Sequence, residues 1–155
     1  MNLNQSLRTD SVKHVDLSWY IEVEKGTPVS LTIEKMQASH RKCALVMNQG
    51  AMIGIFTAHD IPRRVTDKPE VYDQPIETVM TPNPTTIDAD LTVLDAIQVM
   101  NKNKYRYMPV VNKKNQVLGT LTHYAIIKYM SDYFPQDIYN LPPEPDQIAS
   151  SRAGA

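Results

Sequence analysis

The 155-residue sequence predicts a mixed α/β fold made of two copies of one β-α-β-β-α unit. The stretch GIFTAHDI (54–61) returns as GTLTHYAI (119–126), and the hydrophobic period changes in the same order in both halves. The first copy spans only 53 residues (14–66), a length at which a single core is marginal. We therefore expect the two copies to pack their sheets together.

The repeat is visible position by position. Over the first part of each half the offset is 64 residues, and after a one-residue insertion it is 65. Apolar, glycine and threonine positions coincide at these offsets: Val15, Val29, Ile33 and Met36 with Val79, Val93, Ile97 and Met100, then Arg41, Val46, Gly54, Thr57 and Ile61 with Arg106, Val111, Gly119, Thr122 and Ile126.

Each half begins with a short strand and a helix. The segments WYIEV (19–23) and PTTI (84–87) are rich in β-branched or aromatic residues, which is typical of strands. A helix should follow each, with Thr27 as the N-cap before Pro28 in the first half and with Thr92 at the start in the second. Apolar residues at helical spacing then indicate that both helices face a core.

A hairpin and a second helix complete each unit. The runs CALVM-NQG-AMIGIF and YMPVV-NKKNQ-VLGTL are apolar stretches separated by turn residues, which predicts two antiparallel hairpins. The second helix should begin at the repeated threonine motif. Outside the two units, 14–66 and 78–131, we expect an N-terminal extension (1–13), a linker (67–77) and a proline-rich tail (132–155) that is extended and ends in disorder.

The amino-acid composition limits which classes of binding partner are expected. Sixteen Lys and Arg against 17 Asp and Glu give a net charge of −1 without long runs of like charge, so neither nucleic acid nor an anionic membrane is an expected partner. No apolar run is long enough to span a bilayer and no signal-peptide pattern is present, which favours the cytoplasm. Cys43, the single cysteine, lies in an apolar run and is interpreted as a core residue.

The ordered motifs resemble a known family. VMTPNPTTIDADLTVLDAIQVMNKNKYRYMPVVNKKNQVLGTLTHYAI is similar to a cystathionine-β-synthase (CBS) domain, and GTPVSLTIEKMQASHRKCALVMNQGAMIGIFTAHDI resembles a second. Together they resemble a stand-alone tandem pair, or Bateman module. This resemblance implies a pseudo-twofold arrangement with up to two clefts, which typically take AMP, ADP, ATP, S-adenosylmethionine or NAD, and it implies assembly into a homodimer.

The first threonine motif suggests how such a ligand is held. A helix opening near Thr57 would direct free N–H groups and a positive helix end at a phosphate, and Gly54 would allow close approach of a ligand or backbone. The Asp60 carboxylate would accept both ribose hydroxyls. The alternative is that Thr57 and Asp60 only form a capping box at the helix start.

The rest of this first site should come from the other repeat. In modules that this chain resembles, the motif faces the first strand and the pre-proline residues of its mate. These are Met80 to Ile87, with Thr81, Thr85 and Ile87 as candidates, and Arg106 to Pro109. Arg106 would neutralise phosphate, and Tyr107, Met108 and Ile87 would contact adenine. The alternatives are a solvated Arg106 and core positions for Met108 and Ile87. His59 is a further candidate for phosphate contact, or a solvated side chain.

The sister site departs from this pattern. Ala125 replaces the aspartate, so only a weak second site is expected, formed by Arg41, Lys42, Thr122 and His123 with Ser18 to Ile21. Pro62 should also shorten or kink the helix of the first motif. His14, His40, His59 and His123 show no metal-ligand spacing, so no metal site is expected.

Three function classes follow from these features. The leading interpretation is a non-catalytic regulatory module that senses an adenosine-containing ligand and signals to an unknown partner protein, with no cofactor required. The second is a ligand-free oligomerisation or protein-interaction module. An enzyme comes last, because no P-loop, nucleophile elbow or dinucleotide-binding glycine pattern is present. We also expect a homodimer through an apolar ridge of the last helix: Ile126, Ile127, Met130, Tyr133 and Phe134.

Overall fold

The computed structural model describes residues 2–136, and the predicted extended and disordered part of the tail (137–155) lies outside them. Four α-helices and seven strands are present in this range. They are α1 (Leu3–Thr9), β1 (Ile21–Glu24), α2 (Val29–Ala38), β2 (Cys43–Asn48), β3 (Ala51–Thr57), β4 (Thr81–Pro82), β5 (Ile87–Asp88), α3 (Val93–Asn103), β6 (Tyr107–Val111), β7 (Val117–Thr122) and α4 (His123–Tyr133). No helix within residues 2–136 combines the length and apolar character required to cross a membrane.

Two small sheets confirm the predicted mixed α/β architecture. One sheet has the order β1-β2-β3-β4 and the other the order β5-β6-β7. In each, the strand before the helix pairs in parallel with the first strand of the hairpin, which pairs antiparallel with the second. The first hairpin turns at Gln49 and Gly50, which both have positive φ (51° and 85°), as a type I′ turn requires.

The segment that precedes each repeat pairs with the last hairpin strand of the other repeat. Thr81 and Pro82 pair with Ile55 and Gly54 in β3, and Ser18 forms the equivalent bridge to Thr120 in β7. A side chain at Gly54 would overlap the Met80 sulfur, and a Cβ at Gly119 would lie 2.5 Å from the Leu17 carbonyl oxygen. The repeated glycine therefore admits a crossing segment in both halves, which is the first reason for its recurrence.

The core has three layers. One cluster packs α3 and α4 on the three-stranded sheet, a second packs α2 on the four-stranded sheet, and a third lies between the sheets around Cys43, Leu45 and Ile55. Val12 belongs to the first cluster and Ile76 to the second, and both are fully buried. Each core therefore includes residues from the segment that precedes the opposite repeat. The unit limits predicted above stay a proposal.

Cys43 is buried as predicted, with no exposed surface, and burial raises the pKa of its thiol to about 12. Because the neutral thiol is the form that an apolar environment favours, this side chain acts as a small core residue. It lies in the layer between the sheets, which fixes the spacing of the two repeats.

One of the two predicted helix starts differs from the structure. Thr27 is not the cap of α2: Pro28 occupies the N-cap position without a side-chain bond, and the Thr27 hydroxyl donates to the Glu24 carbonyl at 2.6 Å. The prediction for α3 is confirmed, because the Thr92 hydroxyl accepts the Asp95 N–H at 3.1 Å.

The second helix is present in only one repeat. In the second repeat α4 begins after Thr122, whereas the first repeat has a single π-helical turn, Ile61–Val65. Pro62 lies in this turn and provides no N–H for a helical ladder, so the chain leaves the helix after one turn. The predicted shortening of this helix is confirmed, but the helix is reduced further than expected, to a single turn.

Candidate functional site

A cleft of about 450 Å³ lies at the junction of the two repeats. The first repeat contributes the end of β3 and the residues after it, and the second contributes the segment before β5, the turn before β6 and the start of β6. The cleft lining consists of Ile55, Thr57, His59, Asp60, Arg63, Thr81, Asn83, Pro84, Thr85, Lys104, Tyr105, Arg106 and Tyr107. Seven of the predicted first-site residues are therefore brought together: Thr57, His59, Asp60, Thr81, Thr85, Arg106 and Tyr107.

Asp60 is the acidic residue of this lining, and the residue as a whole is only 8% exposed. Its Oδ2 accepts the Thr57 backbone N–H at 2.9 Å and faces the Thr57 hydroxyl at 3.4 Å. Its Oδ1 lies 3.8 Å from the Arg64 guanidinium Nε. The carboxylate thus reaches back as in a capping box and is held in place at the cleft wall, which leaves lone pairs available to further donors.

The π-helical turn determines which arginine side chains lie next to Asp60. Arg64 turns away from the cleft and donates to the Val79 carbonyl at 2.9 Å, while the adjacent Arg63 lines the cleft. The expected positive helix end at Thr57 is absent, because five residues of π-helix carry no appreciable macrodipole. Positive charge at this wall comes from side chains instead.

Arg106 lies on the opposite side of the cleft, in the chain segment just before β6. Its Nη1 is 3.3 Å from the His59 Nε2, so this pair joins the two repeats across the cleft. Both residues are exposed, as are Arg63 and Lys104. The lining therefore carries three permanent positive charges, with Asp60 as the negative one, and favours an anionic ligand.

Two tyrosines supply aromatic surface. The Tyr105 hydroxyl lies 3.4 Å from the Thr85 hydroxyl at the rim of the cleft. Tyr107 is half-buried, and burial raises the pKa of its phenol, so it stays protonated and can donate a hydrogen bond. A planar apolar group can stack on such rings while their hydroxyls remain solvated.

Four residues proposed for the first site lie outside the cleft. Ile87 (5% exposed) and Met108 (0%) are buried in the core of the second repeat, which confirms the alternative interpretation of both. Pro109 is buried in the middle of β6, and Gly54 faces Met80. Alternate residues of a strand point to opposite faces, so Tyr107 reaches the cleft and Met108 cannot.

The sequence analysis missed six residues of the lining: Ile55, Arg63, Asn83, Pro84, Lys104 and Tyr105. Four of them carried a signal. Pro84 and Asn83 fall within the segment 80–87 that the resemblance indicated, and Tyr105 and Lys104 directly precede Arg106. Arg63 had none, because its position depends on the unexpected π-helical turn.

The sister cleft is smaller and has different walls. A groove of about 240 Å³ is lined by Trp19, His40, Lys42, Tyr107, Thr122 and Tyr124. Lys42 and Thr122 are therefore where the prediction placed them, but the Thr122 hydroxyl accepts the Ala125 N–H at 3.0 Å as the N-cap of α4. Arg41 and His123 do not line the groove.

Comparison with known proteins agrees with this architecture. The model of the family described as CBS domain matches residues 76–132. An uncharacterised conserved protein from Pyrococcus horikoshii superposes with a TM-score of 0.72 at 22% identity, over 78% of this chain and 92% of the other. The CBS domain pair of protein MJ0100, in complex with 5′-methylthioadenosine and S-adenosyl-L-methionine, superposes with a TM-score of 0.67 at 20% identity, over 77% and 98%.

Two curated relatives are longer proteins. The meiotically up-regulated gene 70 protein of Schizosaccharomyces pombe is 36% identical over 97 residues, which are 62% of this chain and 13% of the relative. The CBS domain-containing protein CBSCBSPB1 of Arabidopsis thaliana is 32% identical over 112 residues, which are 68% and 21%. The match thus covers only about an eighth of the first relative and about a fifth of the second. Residues 76–132 belong to the CBS domain family, and the described chain has the fold of a CBS-domain pair.

Proposed function

We propose that this chain is a regulatory module that binds an adenosine-containing ligand in the cleft between its two repeats. The observation that carries the proposal is the lining itself. One buried carboxylate, three cations and two tyrosines face a space of about 450 Å³, which falls in the size range of small-molecule sites. A nucleotide has the matching groups: hydroxyls that donate, phosphates that are anionic, and a flat base.

The proposed pose follows from the chemistry of each wall. The ribose hydroxyls donate to Asp60, and the phosphates contact Arg106 and Arg63, which bind phosphate oxygens through a fork of donors. The base lies against Tyr107. Lys104 lines the same cleft and adds positive charge, so AMP, ADP and ATP should bind more tightly than S-adenosylmethionine, whose sulfonium is cationic.

A thermal-shift panel tests the proposal directly. The full chain is heated with AMP, ADP, ATP, NAD, S-adenosylmethionine and adenosine. At 100 times its dissociation constant, a ligand that binds only the native state adds about 2.7 kcal/mol to the unfolding free energy, which gives a clear shift. No shift with any member of the panel would refute the proposal.

The output of the module is proposed to be a change in repeat arrangement. Arg106 and His59 approach each other from different repeats, so a phosphate between them favours one relative position of the two. The proposed role is non-catalytic, in the cytoplasm, with an unidentified regulated protein as receiver. Incubation with ATP and magnesium should release no phosphate in proportion to the purified protein.

We further propose a homodimer through the outer face of α4, although with fewer residues than the sequence indicated. Ile126 is only 4% exposed and Phe134 packs on the same core, whereas Ile127 (59%) and Tyr133 (68%) are exposed. Exposed apolar side chains on one helix favour a protein interface. Light scattering that reports a single chain of 17.6 kDa at micromolar concentration would contradict this.

A ligand-free interaction module remains the second candidate. It is favoured by the same exposed α4 residues and by the small volume of the sister cleft. The two candidates differ in the thermal-shift panel, because an interaction module would show dimerisation without any response to ligand.

A further inference from the structure

The two clefts differ most at positions that the repeat makes equivalent. Residues that keep the first cleft open and polar are replaced in the sister cleft by larger or apolar ones. Three pairs show this difference, first cleft named first: Asn83 and Trp19, His59 and Tyr124, and Asp60 and Ala125. Arg106 is matched by a second arginine, Arg41.

Trp19 lines the sister cleft. The bridge from Ser18 to Thr120 holds the segment before β1 against β7, and this places the indole among the walls of the groove. Its ring centroid is 4.6 Å from that of Tyr124, in an edge-to-face arrangement. The Arg41 guanidinium carbon lies 4.3 Å from the indole centroid, at cation–π distance.

This stack engages the groups that a ligand would need. The guanidinium of Arg41 lies over an aromatic ring, whereas its counterpart Arg106 lies at the open mouth of the first cleft beside His59. The indole also contacts the Tyr124 ring edge to face. The remaining groove has a volume of about 240 Å³, compared with about 450 Å³ for the first cleft.

We propose that Trp19 is an internal occupant of the sister cleft, so that each chain binds one ligand, in the first cleft only. This inference rests on the proposed function for its ligand. The proposal makes Trp19 a specificity-determining residue that sets the number of ligand sites. It attributes the lack of ligand binding in the sister cleft to the Arg41–Trp19–Tyr124 stack as well as to the missing aspartate.

Calorimetric titration of the full chain with ATP, with S-adenosylmethionine in parallel, counts the sites. Wild type should bind one ligand per chain. Trp19→Asn, which introduces the residue of the equivalent position, should bind a second ligand, about 10- to 150-fold more weakly because no carboxylate holds its ribose. Trp19→Phe is the matched control: it keeps an aromatic occupant and should retain one site. Two sites in wild type, or one site in Trp19→Asn, would overturn the proposal.

Fluorescence of the wild-type chain gives an independent test, because Trp19 is its only tryptophan. When calorimetry shows the first cleft to be saturated with ATP, the emission maximum should be unchanged. A saturable red shift would show that ligand displaces the indole and would overturn the proposal. This measurement decides the question even where Trp19→Asn does not fold.

Failure of the proposed function has a different signature. If wild type binds neither ATP nor S-adenosylmethionine, the proposed function fails, and the stack is then tested without ligand. Arg41→Ala should uncover one face of the indole and raise acrylamide quenching of Trp19 at least about twofold, since the guanidinium covers that face. Unchanged quenching would show that the stack does not shield Trp19 and would overturn the inference by itself.

Discussion

Replacing Asp60 by alanine tests whether this residue binds ligand in addition to capping the turn at the first cleft. The carboxylate accepts the Thr57 N–H at 2.9 Å and is 8% exposed, so its loss leaves a backbone donor without its acceptor. A hydrogen bond to a charged group contributes roughly 1.5–3 kcal/mol, and we expect the unfolding free energy to fall by about that amount. If the same carboxylate holds a ribose, affinity should fall in addition by about 10- to 150-fold.

Two variants control for the loss of stability. Asp60→Asn keeps an oxygen that can accept the Thr57 N–H, so stability should fall by only about 1 kcal/mol while the charge that binds the ribose is lost. Thr122→Ala removes the equivalent cap in the sister repeat, where the hydroxyl accepts the Ala125 N–H at 3.0 Å. It should cost about 1 kcal/mol of stability and leave the affinity unchanged.

The assay pairs calorimetry with urea unfolding on the same preparations. The prediction requires that affinity follow the charge at residue 60, whereas stability follows the presence of an acceptor for Thr57. An Asp60→Ala chain that is destabilised yet binds ATP as wild type does would show that Asp60 is only a cap, and the ribose assignment would be wrong.

Three further predictions concern the crossing segments, the core and the phosphate wall. Gly119→Ala should lower the urea midpoint more than Gly54→Ala does, because the new methyl group meets a backbone oxygen in one case and a movable methionine end in the other; equal losses would contradict this. Cys43 should resist iodoacetamide at neutral pH until the chain unfolds, and rapid labelling of the native protein would refute the burial argument. Because the folded-state pKa of its thiol is about 12 against an ordinary 9.0, the contribution of Cys43 to stability is complete below pH 9.0 and is lost as pH rises toward 12. Arg106→Ala should weaken ATP by roughly tenfold or more and adenosine far less; an equal effect on both ligands would place the phosphates elsewhere.

The sequence by itself determined the architecture. The repeated order of strand, helix and hairpin and the buried Cys43 follow from local signals, because hydrophobic period, turn residues and β-branched runs act over neighbouring residues. The last helix of the first copy is the exception, since a single π-helical turn replaces it. Seven residues of the first cleft were also found in advance, because the repeat and the ordered motifs indicated which segments face one another.

Only the tertiary structure decided how the two clefts differ. The resemblance placed Ser18 to Ile21 at the sister cleft, but the sequence did not indicate that Trp19 stacks there with Tyr124 and Arg41, because both are distant along the chain. Arg63 likewise enters the first cleft because Pro62 reduces a helix to one π-helical turn, a change of direction that no local pattern encodes. The sequence left open whether strand residues such as Met108 face the cleft or the core, because facing depends on strand register, which is fixed only when the hairpin packs.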